Sequence, residues 1–328
     1  MDPFSHALLS FVLGQALQLD PNAQIVLIIS SVILDVDAIS VPGWWTSFRF
    51  HRGPLHSFLA AILISLTLST VYTALVRIPA EAYIAIALVS LGGSFCHIFL
   101  DLLTTGNMAV LWPFSSQRVA FDLTHFIDPA FLGVNLLASI LIFCVKNDIE
   151  VIHLVTTAAL ILLTVSLGVR YYERDVAVDT IKRQKVYADS ELVPLPTFRL
   201  DRWWVAAKTP SEDGYQYEIY SVDSIGHKIL SHRTVECPFI DYVGSAEPPI
   251  DSPHKAVLYS KRYKQVSGFL RKSRLPSVDV TLSDEGNTWH IFWYDAFTQL
   301  SEGVSRGIIV RTDLDGMATV SFSARANA

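Results

Sequence analysis

The stretch that decides the fold is HRGPLHSFLAAILISLTLSTVYTALV, residues 51–76. From Leu55 to Val76 it contains no Lys, Arg, Asp or Glu, and it reaches the roughly 20 apolar residues that a helix needs to cross a bilayer. Yet His51, Arg52 and His56 stand at its start, where ionisable groups are costly to desolvate. The stretch therefore predicts a membrane helix that begins at a functional site.

Further apolar runs surround this stretch. Hydrophobic residues make up 51% of the 328-residue chain, which is too apolar for an ordinary soluble enzyme. Each run predicts a helix, so together with residues 55–76 we expect about six. The other runs are Ala7–Leu19, Ala23–Leu34, Ala82–Leu100, Pro129–Val145 and Val151–Val169.

After about residue 175 the sequence becomes charged, aromatic and typical of β-strands. Segments such as FRLDRWWVAAK, YQYEIYSV and RGIIVRT alternate with turn-like SEDG, DEGN and DLDG, and His254–Leu270 is the one helix that we predict there. The expected fold is mainly α. A polytopic helical membrane domain, residues 1–174, is followed by a small β-rich α+β soluble domain, residues 175–328.

Charge and cysteine content exclude two classes of function. The net charge of −6 and the lack of a basic stripe argue against nucleic-acid binding. Cys96, Cys144 and Cys237 are far apart, so neither a disulfide framework nor a thiolate zinc site is expected.

The polar residues of the helical part are predicted to gather on one side of the membrane. If all six helices cross, the connections alternate sides, and Arg49, Arg52 and Arg118 lie on the same side as the candidate site. This excess of basic residues predicts that the site and the C-terminal domain are cytoplasmic, in a multi-pass protein of the cell membrane. The acidic and histidine residues on this side are His6, Asp35, Asp37, His51, His56, His97, Asp101, Asp122, His125 and Asp128.

Their spacing favours metal binding. His97 and Asp101 are four residues apart, so they share one face of a helix. Asp35 and Asp37 end an apolar run, where the helix dipole opposes negative charge and a cation would offset it. His56 follows Gly53 and Pro54, a natural helix start that disfavours a cationic imidazole and so suits a neutral ligand.

Together these residues offer nitrogen and oxygen ligands without a thiolate. The set suits a divalent metal, with zinc preferred and manganese or iron as alternatives, and it is large enough for two ions. A metal site that activates water indicates hydrolysis of a phosphoester. The predicted ligands are Asp37, His51, His56, His97 and Asp101, with His6, Arg52 and Asp35 as catalytic residues.

These motifs resemble the YdjM-like family of membrane proteins, described as metal-dependent hydrolases. The resemblance rests on DPFSHALLS, LDVD, HRGPLHSFL and CHIFLDLLTTGNMAVLWPF in that order, over roughly residues 1 to 120. It implies site roles for the residues named above and for Trp112–Pro113. A more distant similarity, in the order His6, Asp37, His51, His97 and Asp101, is to zinc-dependent phospholipase C and its nuclease relatives.

We expect a hydrolase that acts on a phosphoester at the cytoplasmic membrane interface, with membrane lipid as partner and a phospholipid as one candidate substrate. Arg52 would stabilise the anionic transition state. The alternative is a membrane protein without enzymatic activity, either a metal transporter or a scaffold with a structural His/Asp site. Transport predicts polar residues at mid-membrane, and the polar residues here gather at one side, which favours hydrolysis.

Overall fold

The computed structural model describes residues 1–36, 52–145, 148–184, 187, 192–212, 214–238, 240, 245–302 and 304–326. The chain forms two compact units. The first consists of Met1–Arg174 and Phe198–Leu200, and the second of Asp175–Thr197 and Asp201–Ala328.

The described part of residues 1–184 contains an α-helix for every apolar run. Short 3-10 turns at Ile33–Asp35 and Pro54–His56 precede and follow the undescribed residues 37–51. The helices are α1 (Pro3–Ala16), α2 (Pro21–Ser30), α3 (Phe58–Val76), α4 (Tyr83–Leu102), α5 (Pro129–Val145) and α6 (Ile149–Gln184).

Helix starts follow from local sequence. Asp2 and Asp20 each precede a proline, and their carboxylates accept backbone N–H groups of the first turns of α1 and α2. The hydroxyl of Ser57 does the same for α3. Among the described residues, α3, α6 and the segment Ala80–Leu102 are long and apolar enough to span a membrane. The helical membrane domain is confirmed, and the number of crossings remains a prediction.

Small side chains bring α2, α3 and α4 together. A Cβ at Gly93 of α4 would lie 2.7 Å from the carbonyl oxygen of Leu27, so only glycine allows this approach to α2. Ser94 donates to the Ser30 carbonyl at 3.3 Å and is hydrogen bonded to Ser65 of α3 at 2.9 Å. Such contacts replace the hydrophobic effect, which does not drive helix association in lipid. They hold the ends of α2 and α4 side by side.

The C-terminal unit contains two four-stranded antiparallel sheets, with strand orders β1-β2-β3-β4 and β5-β6-β7-β8. In the first sheet, Trp203 and Tyr220 pack against Ala177 and Ile181. The β-rich domain is thereby confirmed. The strands are β1 (Leu192–Pro196), β2 (Arg202–Ser211), β3 (Gly214–Asp223), β4 (Lys228–Pro238), β5 (Pro276–Leu282), β6 (Thr288–Asp295), β7 (Val304–Asp313) and β8 (Ala318–Ala326).

Helices in this unit differ in detail from the expectation. The predicted helix at 254–270 is divided into α7 (Pro253–Ser260) and α8 (Lys264–Leu270). A further helix, α9 (Ala296–Glu302), follows β6 and is absent from the sequence prediction. Asp295 explains this change, because its carboxylate accepts the N–H of Phe297 at 3.0 Å and starts a helix where the aromatic pattern suggested more strand.

A buried ion pair fixes the start of α5. Asp128 accepts the N–H groups of Ala130 and Phe131 at 3.0 and 3.1 Å, and its second oxygen binds Arg170 of α6 at 2.8 Å. Both ionic side chains are almost completely buried. Asp128 therefore caps one helix and ties it to the next.

We predict that Asp128→Ala lowers the free energy of unfolding by about 3–5 kcal/mol, because it leaves a buried guanidinium without its carboxylate. The matched control is Asp148→Ala, which removes an exposed carboxylate that caps α6 and should cost only about 1 kcal/mol. Thermal unfolding of the detergent-purified proteins measures both. Equal losses would contradict a role for the ion pair beyond capping.

Candidate metal centre

Four side chains converge where α2, α3 and α4 end or begin. Asp35 lies in the turn after α2, His56 in the turn before α3, and His97 and Asp101 in the last turns of α4. All four are buried, and one ligand atom from each lies within 4.8 Å of the others. We call these four residues the metal cluster.

The distances between donor atoms in the metal cluster suit an ion with tetrahedral coordination. The Asp35 Oδ1 atom lies 3.4 Å from His56 Nε2 and 3.7 Å from His97 Nε2. The Asp101 Oδ2 atom lies 3.6 and 3.7 Å from the same two nitrogens. Four nitrogen and oxygen ligands arranged tetrahedrally around zinc, with bonds of about 2.1 Å, are about 3.4 Å apart. The four carboxylate–imidazole distances thus come close to the spacing of a tetrahedral zinc site, and all four donor atoms lie within 4.8 Å of one another.

The tautomer of His97 also fits metal binding. Its Nδ1 atom is hydrogen bonded to the carbonyl oxygen of Ser31 at 2.8 Å. Because a carbonyl oxygen only accepts, the neutral ring carries its proton on Nδ1 and keeps a lone pair on Nε2. Nε2 is buried and makes no hydrogen bond to any residue that the structure describes. A metal ion would satisfy this nitrogen.

His6 extends the metal cluster on the side of α1. Its ring stacks on His97 with a centroid separation of 4.0 Å, and its Nε2 lies 3.3 Å from Asp101 Oδ1. The amino group of Met1 contacts the same oxygen. Among the described residues, neither ring nitrogen of His6 has a hydrogen-bond partner. His6 is therefore placed either to bind an ion or to exchange a proton beside it.

Arg52 is held against Asp101 by a tightly fitted loop. Its guanidinium donates to the Thr104 hydroxyl at 2.7 Å and the Gly106 carbonyl at 2.8 Å, and its Nε lies 3.4 Å from Asp101 Oδ2. A Cβ at Gly106 would lie 1.8 Å from the guanidinium, so any other residue there would displace the Arg52 side chain. Arg118 donates to the carbonyl of Arg52. The backbone of Arg52 itself is left-handed, with a φ of 55°. Sequence reasoning missed Thr104 and Gly106 and counted Arg118 only as a basic residue.

The remaining predicted residues lie elsewhere or are not described. Asp37 and His51, both predicted ligands, lie outside the described residues. Asp35, predicted to be catalytic, lies in the metal cluster, and its role stays a prediction. His125 is hydrogen bonded to the Ile127 carbonyl at 3.3 Å, and Asp128 binds Arg170. The structure thus brings His6, Arg52 and the four cluster residues together.

A carboxylate of the C-terminal unit shows a contrasting arrangement. Oε2 of Glu218 accepts the hydroxyl of Tyr187 at 2.7 Å and also contacts the hydroxyl of Tyr220. Burial, followed by the hydrogen bond to Glu218, raises the pKa of Tyr220 to about 12, so the phenol keeps its proton. Protein donors satisfy this carboxylate and no cation is needed.

Comparison with known proteins bears on the first unit. The model of the family described as YdjM inner membrane protein matches residues 1–175. No curated protein and no solved structure matches the chain. The matched range includes every residue of the metal cluster, together with His6 and Arg52.

We predict that His97→Ala removes bound metal, because the cluster loses the one ligand whose tautomer is fixed by Ser31. His153→Ala is the matched control. This exposed histidine of α6 is hydrogen bonded to the Ala16 carbonyl, and it is far in sequence from every residue of the metal cluster. Elemental mass spectrometry on detergent-purified protein, prepared without chelator and resupplied with metal, measures the content. Full metal content in His97→Ala would disprove the assignment.

A second substitution tests the loop that holds Arg52. Gly106→Ala forces the guanidinium away from Thr104 and should lower the free energy of unfolding by about 1–3 kcal/mol. Gly133→Ala is the control, because a Cβ there meets nothing within 4 Å. If thermal unfolding shifts equally in both variants, the close approach of Gly106 to Arg52 does not contribute to stability.

Proposed function

Because the chain belongs to the YdjM inner membrane protein family, we propose that it is a membrane-bound, zinc-dependent hydrolase of a phosphoester. The observation that carries this proposal is the buried set of two imidazoles and two carboxylates at nearly tetrahedral spacing. Manganese and iron accept the same ligands, but the spacing favours zinc.

The residues of the site divide into holding and reacting groups. Asp35, His56, His97 and Asp101 would hold the ion, and zinc bound there supplies Lewis-acid activation of water and of a phosphoryl oxygen. Hydrolysis forms a P–O bond from water and breaks the P–O bond to the alcohol, which leaves with a proton. His6 is the proposed carrier of that proton, because it lies beside Asp101 and makes no ring hydrogen bond within the described part of the chain.

Arg52 contributes positive charge beside the cluster. Its guanidinium orients Asp101 through contacts at 3.4 Å, and its charge favours an anionic substrate in the same region. We further propose that all six helices cross the membrane and that the site faces the cytoplasm, which the distribution of Arg and Lys supports.

A structural metal site is the second candidate. Four protein ligands complete a tetrahedral shell, whereas catalytic zinc keeps one position open. Hydrolysis at the cluster therefore requires that one carboxylate gives way to substrate or that His6 helps to bind a second ion. If the site is structural, removal of the metal lowers the free energy of unfolding, and the protein has no hydrolytic activity with or without metal.

We expect the zinc-loaded protein in detergent to release alcohol or phosphate from at least one member of a phosphoester panel. Asp35→Ala should abolish turnover, because it removes a ligand from the proposed centre, whereas His153→Ala should retain it. Colorimetric or fluorogenic release measures the rate. Bound zinc without turnover on any ester, and a lower melting temperature after chelation, would favour the structural site.

A further inference from the structure

The long segment between α4 and α5 exposes an unusual number of large apolar side chains. Phe114 is 85% exposed, and Leu111 is 55% exposed. We call the exposed apolar residues of this segment the loop surface: Leu111, Trp112, Phe114, Phe121, Phe126 and Ile127. Large apolar side chains exposed in this number on one connecting segment indicate contact with an apolar partner.

The loop surface belongs to an ordered segment, because backbone hydrogen bonds tie the segment to the site helices. The N–H of Phe58, at the start of α3, donates to the Val110 carbonyl at 2.9 Å. The N–H of Phe121 donates to the Leu102 carbonyl, at the end of α4, at 2.7 Å. Met108 and Val119 are paired in both directions.

These bonds also set the depth of the segment. The helices α3 and α4 are long and apolar enough to span a membrane, and the segment is bonded directly to the ends of both. The polar interface of a bilayer adds about 5–8 Å on each side of the hydrocarbon core. A segment hydrogen bonded to the ends of spanning helices lies within that layer, where aromatic side chains are favoured.

From this placement we propose that the loop surface inserts into the bilayer interface and that the metal cluster acts on the headgroup of a lipid. The occupant of the surface is lipid because backbone bonds join the segment to the ends of α3 and α4, two apolar helices of membrane-spanning length whose large side chains, such as Leu63 and Phe99, are exposed as well. The choice of substrate rests on the proposed function. The apolar part of the substrate stays in the bilayer, and its phosphoester reaches the cluster.

The first test measures lipid contact directly. Phe114→Cys is made in full-length protein whose three native cysteines are replaced by alanine, labelled with an environment-sensitive fluorophore and reconstituted with brominated phospholipid. Leu63→Cys on α3 is the lipid-facing reference, and Ile225→Cys, between β3 and β4, is the reference for exposed residues of the C-terminal unit. We expect quenching at 114 to approach that at 63. Quenching at 114 no stronger than at 225 would overturn the proposal, because it would place the side chain outside the bilayer.

The second test concerns the substrate. Phe114→Ser should lower hydrolysis of a fluorogenic phospholipid in vesicles about tenfold, because one apolar anchor is lost, while hydrolysis of its water-soluble short-chain analogue is unchanged. Equal losses on both substrates would overturn the lipid assignment. Quenching at 114 without hydrolysis of either substrate would confirm the surface and reject the proposed function, so the two failures are distinguishable.

Discussion

The buried carboxylates of Asp35 and Asp101 impose the main constraint on the membrane unit. Each lies almost completely out of solvent at the end of an apolar segment, where an ionised group is expensive unless a cation or several donors face it. Arg52 and the amino group of Met1 face Asp101, and His97 Nε2 lies 3.7 Å from an oxygen of each carboxylate. These two cations offset part of the charge, and a metal ion held by both carboxylates and the imidazoles would offset more.

The need to stabilise these two buried carboxylates explains structural features that would otherwise only cost free energy. Arg52 adopts a left-handed backbone, and Gly106 leaves no room for a side chain. Small residues at the crossing of α2 and α4 bring the turn of Asp35 next to the last turns of α4. Each of these features brings oppositely charged groups, or the candidate metal ligands, to contact distance where water is excluded.

The Asp128–Arg170 ion pair and the metal cluster differ in how their charged groups relate to stability and to function. Asp128 and Arg170 bind each other, and the backbone of α5 uses the remaining oxygen of Asp128. Each charge of this pair therefore faces an opposite charge of the protein. The metal cluster instead combines two carboxylates with two imidazoles, and among the described residues His97 Nε2 and both ring nitrogens of the adjacent His6 make no hydrogen bond. A bound ion would satisfy this set, which distinguishes a candidate binding site from a structural ion pair.

The sequence by itself determined the helices, since a long run without charge can bury its backbone only as a helix in lipid. It also identified candidate site residues, because ionisable side chains at the ends of such apolar runs are costly to desolvate and therefore indicate a function. These residues are His6, Asp35, His56, His97 and Asp101. Their grouping was decided by tertiary structure, since Asp35 and Asp101 are distant in sequence and meet only through the packing of α2 against α4. The same holds for Gly106 and Arg118, whose roles depend on contacts with Arg52 that no local pattern encodes, and for α9, where the Asp295 cap outweighs strand propensity.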